Sequence, residues 1–239
     1  MMGWMQRNTR WLFLAVILIF IISLGAGSLF RLNPPVPTPT PIPSGTATAS
    51  STASATATGS PTATLDPSIQ RRYTAVPAMT IDPNKSYTAV LKLQSGGQVR
   101  IQLLPKDAPQ AVNNFVFLAR SRFYEGLRFH RVLDFMAQGG DPLGNGTGGP
   151  GYSLPSERSA LTFNDPGVVA MASSTAGVSG SQFFITKIPA AYLNGGNYPI
   201  FGKVTQGLDI VQKIMLRDPT KPNQPVGDVI TGIEIIEGN

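Results

Sequence analysis

Short apolar runs separated by glycine-rich turns predict a mainly β domain, a closed barrel or a sandwich, in the last two-thirds of the chain. Only two segments carry a helical period, and they do not alternate with the strands as a parallel βαβ fold would require. An uncharged apolar segment and a low-complexity stretch precede this domain.

The apolar segment is Trp11–Phe30, WLFLAVILIFIISLGAGSLF, close to the ~20 residues that span a bilayer. Arg7 and Arg10 before it, against Arg31 alone after it, put residues 1–10 on the cytoplasmic side. Residues 11–32 read as a transmembrane anchor. The competing reading is a cleaved signal peptide, on the small residues Gly25–Ser28, although no A-x-A site closes the run. With no cysteine to acylate, a lipoprotein is excluded. Either way the remainder lies outside the cytoplasm: a single-pass cell-membrane protein, or a secreted one.

Residues 33–79 form a linker and a lead-in. From Asn33 to Pro67 the chain is almost wholly Pro, Thr, Ser, Ala and Gly, with no charge between Arg31 and Asp66. Such a composition cannot bury enough apolar area to offset its ordering entropy, so a disordered tether is expected. Fully stretched it reaches roughly 100 Å.

The folded domain is assigned to residues 80–239. Tyr87–Leu93 and Gln98–Leu104 alternate apolar and polar residues around Ser95-Gly96-Gly97, a β-hairpin. Asp107 is placed as the cap of a helix with Pro109 in its first turn and a stripe of Val112, Phe115, Val116 and Ala119. Further β runs follow at Leu127–Val132, Phe135–Gln138, Gly167–Ala172, Gln182–Thr186 and Ile200–Thr205. Leu208–Leu216 reads as a second helix and Asp228–Ile236 as a last strand.

Charge and composition exclude several functions. The net charge is +6, but from Thr80 onward 14 Lys+Arg face 12 Asp+Glu, so the domain has no basic footprint for nucleic acid. No cysteine and a single histidine leave no thiol chemistry and no ordinary zinc site. Gly144–Gly149, GNGTGG, fits the dinucleotide glycine pattern, but Pro150 and Pro155 stop the helix that such a site needs. Gly177–Ser181 lacks the second glycine of a nucleophile elbow.

Two stretches remain dense in chemistry. FHRVLDFMAQGGDP (129–142) holds the lone His130, read as structural, and Arg131 on the opposite strand face. A buried arginine needs an ionic partner or a ligand. GVVAMASSTAGVSGSQFFIT (167–186) runs strand, small-residue loop, strand; Phe183 and Phe184 must point to opposite faces.

Taken in order, FHR…FMAQGGDP, GTGGPGY, MASS…GSQFFIT and FGKV resemble the cyclophilin family of peptidyl-prolyl isomerases, over about Asn84 to Glu237. The resemblance implies an eight-stranded antiparallel β-barrel capped by two helices. It implies catalysis by Arg131 supported by Gln138, with no cofactor and no metal. Phe135, Met136, Phe184 and Leu193 correspond to the pocket for the proline ring, and Gln182 to a polar substrate contact. Ala172 and the backbone at Ser173 correspond to the edge that pairs with the bound peptide. Tyr192 stands where many members carry tryptophan, which implies weakened binding of cyclosporin-type inhibitors. Tyr198 falls near a position often held by histidine. The chain between Arg131 and Phe135 is one residue shorter than the commonest family pattern, so a tighter turn is expected at Leu133-Asp134.

The expected function is rotation about X-Pro bonds in exported or surface polypeptides. The rival is a proline-peptide-binding module or holdase of the same fold. Retention of Arg131, Phe135, Met136, Gln138, Gln182 and Phe184 favours catalysis.

Overall fold

The computed structural model describes residues 65–239; the apolar segment and nearly all of the Pro/Thr-rich stretch lie outside the described residues. Among the described residues no helix is long and apolar enough to cross a membrane.

The strands are β1 (Ser86–Leu93), β2 (Gln98–Leu103), β3 (Arg131–Val132), β4 (Met136–Gly139), β5 (Ser153–Leu154), β6 (Val168–Ser174), β7 (Gly177–Thr186), β8 (Ile200–Gln206) and β9 (Ile230–Gly238). They make one antiparallel sheet in the order β3-β4-β7-β6-β8-β2-β1-β9, with β5 paired to β7. A single curled sheet rules out the sandwich. The eight-strand path is a half-barrel whose end strands, β3 and β9, do not pair with each other as a ladder. Irregular backbone bonds draw that seam together instead. The Gly126 amide donates to the Ile230 carbonyl at 2.9 Å, and the Phe129 amide to the Asp228 carbonyl at 2.9 Å. Val132 and Arg217 exchange amide–carbonyl bonds of 2.7 and 2.8 Å. Approach is close enough there that a Cβ on Gly227 would collide with the Phe129 carbonyl oxygen.

Local sequence accounts for most elements. In β1 the alternating Tyr87, Ala89, Leu91 and Leu93 are buried, as are Val99, Ile101 and Leu103 of β2, which fixes the hairpin register. Helix α1 (Pro109–Arg120) buries its whole expected stripe. Its cap differs from the expectation. Ala108, not Asp107, is the N-cap and makes no side-chain cap bond. The Glu157 carboxylate, from a distant loop, instead accepts the Gln110 and Ala111 amides at 2.8 Å each. Helix α2 (Leu208–Lys213) follows Gly207, which has a left-handed φ of 82°, and stops where Ile214 turns extended, three residues short of the expected end.

The run Leu127–Val132 is a strand only at Arg131–Val132, because Leu127 and Phe129 reach the core from the irregular seam. Beneath the sheet Phe115, Tyr124, Phe183 and Phe201 pack ring against ring, Phe115 lying 5.5 Å from Phe183 and 5.0 Å from Phe201.

The lead-in is docked on this domain as a strap, residues 65–80. The Arg71 guanidinium donates to the carbonyls of Phe123 and Glu125 at 3.3 and 2.6 Å. The Tyr73 amide donates to the Pro150 carbonyl at 2.7 Å while its ring meets Phe117 edge-on at 5.3 Å. The buried Asn113 carboxamide accepts the Thr80 amide at 2.8 Å and donates to the Ala78 carbonyl at 3.0 Å.

Candidate active site

Register builds the site. Arg131 of β3 stands opposite Gln138 of β4, Gln138 opposite Phe184 of β7, and Phe184 opposite Ala170 of β6. Residues directly opposite in antiparallel strands share a face, so this row lies on one side of the sheet. Met136 and Gln182, two residues along their strands from members of the row, join the same face. Ala137, Phe183 and Ile185 point the other way into the main core. The two adjacent phenylalanines therefore separate as expected: Phe183 belongs to the core and Phe184 to a second apolar cluster.

That cluster contains Met136, Phe163, Ala170, Ala172, Phe184 and Leu193, with Phe135 and Tyr198 packed against it. Phe163, which sequence reasoning missed, stacks on Phe184 with centroids 5.8 Å apart and planes 19° from parallel. It lies in a loop without periodicity, so no pattern announced it. Its amide donates to the Asn194 side-chain oxygen at 2.8 Å, and its carbonyl accepts the Ala190 amide at 2.7 Å. Tyr198 meets Phe184 edge-on at 5.7 Å. Exposed Tyr192 sits at the rim, its ring 5.5 Å from that of Phe135.

The turn is tight but sits one residue later than expected, with Asp134-Phe135, not Leu133-Asp134, forming a two-residue hairpin loop. The Leu133 amide donates to the Met136 carbonyl at 2.8 Å, which leaves only Asp134 and Phe135 to reverse the chain. Phe135 is thereby held at the corner, between the apolar cluster and the protein surface.

The polar half of the site is a hydrogen-bond chain. Gln138 Nε2 donates to Gln182 Oε1 at 2.9 Å. Gln182 Nε2 donates to the carbonyls of Gly146 and Gly148 at 3.0 and 2.8 Å. Buried Asp141 shapes that loop by accepting the Leu143 amide at 2.8 Å and the Asn145 amide at 3.0 Å. The GNGTGG stretch, a false lead for nucleotide, thus supplies carbonyls that orient Gln182.

Burial lowers the Arg131 pKa, and the charge of Asp218 opposes this. A guanidinium stays cationic regardless. Burial pushes Tyr192 up to about 12, and raises Tyr198 with the Arg131 charge opposing. His130 is fully buried on the other side, and its ring nitrogens have no hydrogen-bond partner among the described residues. Burial holds it down at about 4, with Asp141 opposing, so it is neutral at pH 7. Its role is packing.

Along β6, pairing with β8 covers Val168–Ala170, and the Met171 amide reaches the Pro199 carbonyl at 3.0 Å. Ala172 and Ser173 run past β8, and the Ser173 hydroxyl turns to the Gly177 carbonyl at 3.3 Å. The sequence-assigned residues therefore lie on or beside one sheet face, with Ser173 on the stretch of β6 that β8 does not cover.

The family model for cyclophilin type peptidyl-prolyl cis-trans isomerase/CLD matches residues 89–235. The chain belongs to the cyclophilin family. Peptidyl-prolyl cis-trans isomerase B of Streptomyces anulatus is 43% identical over 162 residues, covering 59% of this chain and 91% of its own. The Bacillus subtilis protein of the same name is 41% identical over 136 residues, covering 56% and 94%. A crystal structure of a Cryptosporidium parvum cyclophilin type isomerase superposes with a TM-score of 0.56 at 31% identity, covering 63% of this chain and 98% of that one. A second structure of that cyclophilin was determined in the presence of the dipeptide Ala-Pro. By this homology the cyclophilin domain is a peptidyl-prolyl cis-trans isomerase.

Proposed function

We propose that this isomerase works outside the cytoplasm, tethered by Trp11–Phe30 and the Pro/Thr-rich linker, on exported or surface polypeptides. Uncatalysed X-Pro isomerisation takes tens to hundreds of seconds and can limit folding.

Rotation about a peptide bond requires loss of its resonance, a barrier of ~18–20 kcal/mol. The proline ring enters the cluster of Phe135, Met136, Phe184 and Leu193, rimmed by Tyr192 and Tyr198. Arg131 then donates a hydrogen bond toward the prolyl nitrogen, favouring the pyramidal state over the planar ground state. Gln138 and Gln182 hold the polar wall, and Ala172–Ser173 pair with the substrate backbone. The observation that carries this reading is the register row Arg131–Gln138–Phe184, which sets a fixed cation beside an apolar pocket on one face.

The test measures cis–trans exchange of an X-Pro peptide by NMR, with the protein and its Arg131→Ala variant. Exchange should drop on the order of 10²- to 10³-fold in the variant. Unchanged exchange would sink the assignment. Protease accessibility on intact cells reads the side of the membrane.

A further inference from the structure

Ile188, Met215 and Leu216 are 48%, 64% and 50% exposed, and they lie together around a surface groove of about 510 Å³. That volume is in the range of ligand-binding clefts, about 300–1,000 Å³. Asp134, Lys187, Gln212 and Lys213 complete its polar side. Clustered exposed apolar residues rimmed by polar ones mark interaction surfaces.

The groove adjoins the hairpin that carries Phe135 of the proline pocket. Asp134 lines the groove, while the next residue, Phe135, packs against the apolar cluster. The Lys187 amide donates to the Phe135 carbonyl at 2.7 Å, and Gln212 Nε2 donates to the Lys187 carbonyl at 2.9 Å. On the far side, the reciprocal bonds of Arg217 with Val132 fix Met215 and Leu216 beside the hairpin. The groove's walls are thus tied to the same two-residue turn that positions Phe135.

We infer that this groove is a second subsite for the client polypeptide, taking a bulky apolar side chain a few residues away from the isomerised proline. The inference rests on the isomerase reading and deepens it. The occupant is the substrate's own chain, because Asp134 and Lys187 of the groove flank and bond the Phe135 corner of the pocket that takes the proline. The preferred clients are then unfolded segments in which proline neighbours leucine, phenylalanine or similar residues. Native proline loops, which are mostly polar, are disfavoured.

The test uses the full chain and two peptides: Ala-Ala-Pro-Ala, and a twelve-residue peptide with the same core flanked on both sides by leucines. The long peptide should show ~5- to 20-fold higher kcat/KM and a correspondingly lower Kd, as expected for partly burying one large apolar side chain in an open groove. Met215→Ser/Leu216→Ser should abolish that advantage and leave kcat/KM for the short peptide unchanged. Both side chains are at least half exposed, so the fold tolerates the change. Equal affinity of the unmodified protein for both peptides, or an advantage that persists in the variant, overturns the inference. So does a dimer seen by sedimentation that the double substitution dissolves without affecting peptide preference, since the occupant is then a second copy. If neither peptide is turned over, the isomerase reading fails, and the Kd comparison still decides the groove.

Discussion

Gln138 and Gln182, 44 residues apart and only 8% and 6% exposed, are joined amide to amide at 2.9 Å. With both N–H donors of Gln182 spent on the glycine loop, its oxygen is left facing Gln138 and the two amides orient each other. Gln138→Leu strands the Gln182 oxygen without its donor, at a cost of about 1–3 kcal/mol. Isomerase activity should fall ~10-fold with the fold intact by circular dichroism. In a double-mutant cycle with Gln182→Leu, the losses should be less than additive by more than about 0.5 kcal/mol. Strict additivity would show that the pair does not act as a unit.

His130 makes stability pH-dependent in one direction. Its pKa is held at about 4 in the folded chain, against about 6.5 when unfolded. Between those values the unfolded state binds a proton that the native state refuses. The contribution is therefore complete above pH 6.5 and lost as pH falls toward 4, by about 3 kcal/mol in total. Urea unfolding from pH 7 to pH 4 should show this slope, and His130→Gln should flatten it. Catalysis should not follow, because Arg131 remains charged throughout; a kcat/KM that tracks the stability slope between pH 7 and 5.5 would contradict this.

Tyr192 predicts inhibitor behaviour. Exposed and edge-on to Phe135, it offers a smaller rim than tryptophan at the corresponding family position. Cyclosporin-type inhibitors should bind this protein weakly. Tyr192→Trp should tighten them ~10-fold, measured by competition in the isomerase assay. Nanomolar inhibition of the unmodified protein would refute the expectation.

Glu157 closes the N-terminus of α1 from outside the helix. Removal of a helix cap typically costs ~1 kcal/mol. Glu157→Ala should lower Tm by about 2–4 °C, and Glu157→Gln should recover part of that loss through its remaining acceptor oxygen. Equal Tm values for all three proteins would show that the carboxylate adds nothing.

Sequence legibility followed the range of each interaction. The β1–β2 hairpin and the stripe of α1 were readable because their causes, alternation and helical period, are local. Leu127–Val132 misled because Leu127 and Phe129 are core residues on backbone that pairs irregularly with Asp228–Ile230. Asp107 was the plausible local cap, whereas Glu157 works from 46 to 47 residues away. At the site, motif resemblance named the candidate residues, but only strand register puts Arg131, Gln138 and Phe184 in one row. Phe163 and the link between Gln138 and Gln182 needed the folded chain.

The strap gives the domain a form of strain relief. A pull on the chain ahead of Leu65 meets the Arg71 and Tyr73 attachments before it meets β1. Those bonds and the Asn113 clasp at Thr80 must give way in turn before the hairpin that founds the sheet bears any load. A load applied ahead of Leu65 is therefore taken up by the strap first, and the geometry around Arg131 is spared.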